Sequence, residues 1–242
     1  MKPTLEQLES RLCPSATDLA VLPPLAGLFA QAEALARSWE AHPLSLAMPA
    51  DGATPGGFTP AQVLHAYGFD QTIFAGGVHG NGGGQTIAIV DAFDDPNITG
   101  DLQAFDAQFG IPAAPFVVLN QNGGPARPAA DPTGAWELEE ALDVEWAHAL
   151  APAANIVLVE ANSGNLTDLL TAVKTAANLP GVSVVSISWV NSESSNETAM
   201  DSVFTTPAGH QGVTFVAGSG DRGSGVNYPA ASPTCWPSAV RR

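Results

Sequence analysis

The chain has 242 residues; 24 are Asp or Glu and 8 are Lys or Arg, for a net charge of −16 at pH 7. Apolar residues make up 45%, enough for a core, while charged residues make up only 13%, roughly half the usual share. So few cations cannot displace counterions from nucleic acid or hold an anionic membrane surface, so neither partner is expected.

Residues 1–57 read as a leader or linker, with export and a plain extension as the alternatives. LEQLESRL suggests a short helix, and the apolar stretch after it is broken by Pro23 and Pro24. A secretion signal wants a basic start, and here Glu6 and Glu9 come first. No run approaches the roughly 18–20 apolar residues of a membrane span. Cys13 falls in this leader and Cys235 close to the C-terminus, which excludes a disulfide framework or a cysteine zinc site in the body of the chain.

From residue 58 a regular pattern begins. TIAIVD (86–91) reads as a buried strand, and Asp95-Pro96 as the start of a helix running to about Phe109. FVVL (116–119) is a second strand, WELEEALDVEWAHAL (136–150) a long helix ended by Pro152, and NIVLVEA (155–161) a third strand. A helix over 165–179, a strand over 182–190, a helix over 197–210 and a strand over 213–219 complete the series. Continuously apolar strands alternating with helices predict an α/β fold, a parallel sheet covered on both faces. Sites in such sheets gather at the carboxyl ends of the strands.

Several motifs invite chemistry. The glycines of Gly80–Gly84 precede the first strand instead of following it, which argues against a nucleotide fingerprint. The five histidines are scattered, without metal-ligand spacing. Glu139 and Asp143 lie four apart on one helical face. They are either part of a solvated acidic face with Glu137, Glu140 and Glu145, or a pair that shares a proton and leaves a base able to work in acid. The fifth strand ends in AGSGDRG, where Asp221 is either a functional carboxyl at the sheet's edge or the residue of a simple turn.

Together FTPAQVLHAYGF (58–69), GQTIAIVDAFDDP (84–96), ELEEALDVEWAHALAP (137–152), VVSISW (184–189), FVAGSGDRGS (215–224) and YPAASP (228–233) resemble, in order, the sedolisin family. These are serine-carboxyl peptidases with a subtilisin-like fold. The resemblance implies Glu139 as catalytic base, Asp143 as its orienting partner, and Asp221 as the acid that hydrogen-bonds the oxyanion. It implies Asp91 and Trp189 as supports of the carboxylate pair, and Ser188, Trp189 and Val190 as the edge that holds the substrate backbone. Val190 stands where the family usually has Gly. A Glu–Asp base keeps working at a pH where histidine is mostly protonated, and Asp221 donates only when protonated, so acidic pH is implied. An ordinary subtilisin is rejected, because the helix has no histidine motif in place of the carboxylates.

The family's nucleophile is the Ser of an SGTS-type motif beyond YPAASP, and no SGTS occurs in these 242 residues. The family's calcium site also lies in that later part, so no metal or cofactor is expected here. Residues 58–233 therefore read as the N-terminal part of a peptidase domain, C-terminally incomplete, and 234–242 as a frameshifted tail. A coding of the family-like YVLAVGGTA, shifted by one base, translates as TCWPSAVRR, which is residues 234–242. The expected function is endopeptidase action on peptide or protein substrates, inactive in this chain for lack of the Ser. A peptide-binding pseudo-enzyme and a non-functional fragment are the alternatives. An extracellular location follows from the family, and a monomer is expected.

Overall fold

A computed structural model describes residues 41–43, 57–221 and 225–238. The leader up to residue 40, including Cys13, lies outside the described residues, as do Ser224 and the last four residues of the tail.

In chain order the elements are β1 (His42–Pro43), α1 (Pro60–Ala66), β2 (Ile73–Phe74), β3 (Val78–His79), β4 (Thr86–Ala92), α2 (Ile98–Phe109) and β5 (Phe116–Asn120). There follow α3 (Ala135–Leu150), β6 (Asn155–Ala161), α4 (Leu166–Asn178), β7 (Val182–Ile187), β8 (Trp189–Val190), β9 (Thr214–Gly218) and β10 (Trp236–Ser238). Six strands form one parallel sheet in the order β10-β9-β7-β4-β6-β5.

Strand alternation sorts the core into two layers. Ile89, Ile156 and Leu158 point to one face, where Ile98 and Leu102 of α2 and Val144 of α3 cover them. Ala88, Val90, Val159 and Val185 point to the other, against Leu169 and Val173 of α4. Each fully buried Leu, Ile or Val contributes about 1.5–3 kcal/mol. Both faces are covered, so the strands can be apolar throughout. Among the described residues no helix is long and apolar enough to cross a membrane.

Three expected elements differ. The strand read over 182–190 breaks at Ser188: β7 stays in the main sheet, while β8 leaves it and pairs antiparallel with β1. The helix read over 197–210 is two short 3-10 turns, Glu197–Ala199 and Asp201–Phe204. Thr205 and Thr206 are β-branched, and Pro207 disfavours helical backbone at the residue before it, so helix cannot propagate. The helix after β4 begins at Ile98, two residues beyond the expected proline start, with Asn97 at the cap and Asp95 Oδ1 accepting the Asn97 N–H at 2.7 Å. Residues 236–238 of the tail pair with Val216–Gly218 as the sheet's edge strand, and Cys235 beside them is a buried free thiol.

Candidate active site

Helix α3 carries most of the site, and its first turn is held firmly. Gly134, in left-handed backbone at φ 73°, turns the chain into the helix. The Asp131 carboxylate accepts the N–H groups of Ala135 (2.9 Å) and Trp136 (3.1 Å) and the Thr133 hydroxyl (2.6 Å). Burial opposes its charge, but these hydrogen bonds win and hold its pKa below the ordinary value.

Held this way, α3 lays its carboxylates over the carboxyl ends of the central strands. Glu139 and Glu140 are 2% and 0% exposed, so the solvated-face reading of this helix is wrong for both. Helical spacing alone could not show that this stripe faces the sheet. Asp91 of β4 and Glu160 of β6 are directly paired in register and fully buried. By alternation they share the face of Ile89 and Leu158, the one that α3 covers. Burial first, then the charges of Asp143, Glu139 and Glu160, push Asp91 well above its ordinary pKa.

Asp143 is half-buried, and the Ser188 hydroxyl hydrogen-bonds its carboxyl. Burial raises its pKa to about 6, and Ser188 restrains the rise. Trp189 is fully buried, and its indole N–H donates to the Val90 carbonyl at 3.0 Å, tying β8 to the end of β4. Phe93, just beyond Asp91, has a positive φ of 71°. That is strained backbone for a bulky residue, of the kind that clusters at functional sites.

Glu139, Asp143, Asp91, Ser188 and Trp189 thus belong to one region. Val190 lies at its rim, half-buried on β8. Asp221 follows β9 at the same carboxyl edge of the sheet, but it is exposed, and residues 222–224 next to it are not described. His148 is buried, on Asp106 (3.3 Å) and the Pro112 carbonyl (3.1 Å), where it fastens α3 to α2.

Sequence reasoning missed the lower half of the cluster. Glu140 accepts the Asp95 N–H at 3.1 Å, and burial followed by the Asp91 charge raises its pKa to about 11. Glu160, raised by burial to about 8, is restrained by Arg127, whose guanidinium lies 2.7 Å from Glu160 and 3.0 Å from Asp94. One signal was available. NIVLVEA ends, as TIAIVDA does, with an acid next to last in an apolar strand, the position where parallel strands bring two side chains together. Among the described residues no group of three or more His, Cys, Asp or Glu side chains is arranged to hold a metal ion.

No protein-family model matches the chain, and no curated protein matches it. A solved structure does: Pseudomonas sedolisin, a serine-carboxyl proteinase complexed with two molecules of pseudo-iodotyrostatin. It is 21% identical, with a TM-score of 0.55, over 76% of this chain and 54% of that one. The chain therefore spans about half the length of the structure it matches. At that identity the likeness concerns the fold: a subtilisin-like α/β architecture of the sedolisin kind.

Proposed function

We propose that this chain carries the acid–base half of a serine-type endopeptidase of the sedolisin kind, acting on peptide bonds at acidic pH. The observation that carries the reading is Glu139, buried on the helix that also holds Asp143, over Asp91 and the end of the parallel sheet. In this reaction a serine hydroxyl, from sequence beyond the matched segments, attacks the peptide carbonyl. Glu139 takes the hydroxyl proton and later returns it to the leaving amine. Asp143 orients Glu139, and a protonated Asp221 donates to the oxyanion. The substrate backbone lies along Ser188–Val190. Peptides or proteins are the substrates, in an acidic extracellular setting, with the enzyme a monomer.

The test is to read the gene past codon 233 in the shifted frame and assay the restored chain on a peptide near pH 4. Turnover is expected there, with Glu139→Gln lowering kcat by roughly a hundredfold or more. The 242-residue chain alone should give none. A downstream frame without SGTS, or an unaffected Glu139→Gln enzyme, overturns the reading. A second reading, peptide binding without turnover, is favoured by one observation: β8 already accepts an added antiparallel strand.

A further inference from the structure

His210 stands at the tip of the loop that leads from the 3-10 turn Asp201–Phe204 into β9. Thr206 closes the neck of that loop: its hydroxyl oxygen accepts the Val213 N–H at 3.0 Å. Gly209, in left-handed backbone at φ 78°, turns the chain at the tip, where the His210 N–H donates to the Pro207 carbonyl at 3.1 Å. There the imidazole meets two carbonyls. Its Nδ1 lies 2.9 Å from the Gln211 carbonyl oxygen, and its Nε2 lies 2.9 Å from that of Leu179, the residue that caps the C-terminus of α4.

A carbonyl oxygen only accepts hydrogen bonds, so both ring nitrogens have to donate. A neutral imidazole carries one N–H; its other nitrogen would set a lone pair against a carbonyl lone pair at hydrogen-bond distance. Only the imidazolium satisfies both contacts. The place suits a cation for a second reason. The last carbonyls of a helix have no partner within it, and the helix dipole leaves partial negative charge on them. The bond to Gln211, then that to Leu179, raise the pKa of His210 above its ordinary value and outweigh burial.

Few other charges face the ring. A cleft of about 360 Å³ beside it is lined by uncharged residues, among them Gln85, Pro180, Gly181, Ser183 and Gln211. Neither β7, β9 nor the rest of the loop over 205–213 has an ionisable side chain, and Asp201 lies at the start of the turn before it. The acid of β4, Asp91, sits at the opposite, carboxyl edge of the sheet. On α4, Asp168 lies in the first turn, at the far end. Lys174 of the same helix lines a cleft with Pro207 of the loop and, as a cation, acts against protonation of the ring; the net shift is upward all the same.

We propose that His210 is a proton-operated latch. As the imidazolium it pins the tip of the 205–213 loop to the C-terminus of α4, and loss of the proton frees the tip while Thr206 still holds the neck. Because the folded pKa is raised, the latch is fully engaged below the ordinary histidine value of 6.5 and is lost as pH rises through the folded one. The loop is closed in acid and opens on the alkaline side.

NMR of the full chain tests the latch. Long-range nitrogen–proton spectra should show both ring nitrogens of His210 protonated at pH 5.5, with a midpoint above that of a histidine in an unfolded peptide. Protection of the amides of residues 208–212 against hydrogen exchange, corrected for the intrinsic effect of pH, should fall at least about threefold from pH 5.5 to pH 8. His210→Ala should show low protection at both values. His210→Gln, with one neutral amide nitrogen for two carbonyls, should also lose the pH dependence. A ring midpoint at or below the unfolded value overturns the latch, as does unchanged protection in the unmodified chain or a fall that persists in both variants. The ring titration decides alone if a variant fails to fold. Neither measurement needs turnover, so both are independent of the peptidase reading.

Discussion

The Ser188 hydroxyl stabilises the charged form of Asp143, against burial that favours the neutral form. Ser188→Ala removes the hydrogen bond that lowers this pKa, so Asp143 should titrate above about 6, by roughly one unit for the loss of a charge-assisted hydrogen bond. Carboxyl-carbon NMR of the full chain reads the shift directly; an unchanged or lower midpoint would refute the contact. Whether Glu139 and Asp143 form a pair or part of a wet face was undecidable from their spacing. Helical periodicity says which residues share a face, not what lies opposite. Here the opposing face is the buried end of β4 and β6, with Asp91 and Glu160 already on it.

At the scale of elements, Arg127 fastens the loop between β5 and α3 to the end of β6, reaching Glu160, Asp94 and, at 3.4 Å, the Asp95 carbonyl. Arg127→Met should cost about 1.5–3 kcal/mol above pH 8, where Glu160 is charged, the range for hydrogen bonds to charged groups. The loss should shrink in acid, because the Glu160 charge is lost as pH falls below about 8. Urea unfolding at pH 9 and pH 5 measures both; an equal loss at the two values would show that the ion pair is not the cause. The main strands and α3 were legible within about a residue, because an apolar strand buried on both faces has no alternative use. The break at Ser188 was not legible. VSVVSISWV carries no Gly, Pro or other turn signal, and only the Trp189 indole bond to Val90 and the presence of β1 show that the chain leaves the sheet.

Across the whole molecule, the buried carboxyls set the pH dependence of stability. Glu140 and Glu160 are fully buried, with pKa values raised from 4.5 to about 11 and about 8, and Asp143 is raised to about 6. The folded chain therefore keeps protons that the unfolded chain releases. Their stabilisation is full below the unfolded values near 4 and is lost as pH rises toward the folded ones, at about 1.4 kcal/mol per pH unit for each group inside its window. Self-repulsion from the net charge of −16 acts in the same direction. The Tm should fall by at least about 10 °C between pH 5 and pH 8, since each 1 kcal/mol is worth about 2–4 °C at this size. Calorimetry across that range checks it, and a Tm that stays level or rises with pH would contradict the buried cluster.

The amino-acid sequence by itself determined the α/β class, the parallel order implied by apolar strands and intervening helices, and the acidic character of the chain. These follow from local periodicity and composition, which need no knowledge of what packs where. Only the tertiary structure decided which carboxylates are buried, that Glu140, Glu160 and Arg127 join Asp91 beneath α3, and that Ala41–Pro43 lies on the edge of β8. Each of these depends on contacts between residues far apart in the chain. Burial, charge coupling and strand pairing at such separations are properties of the assembled fold.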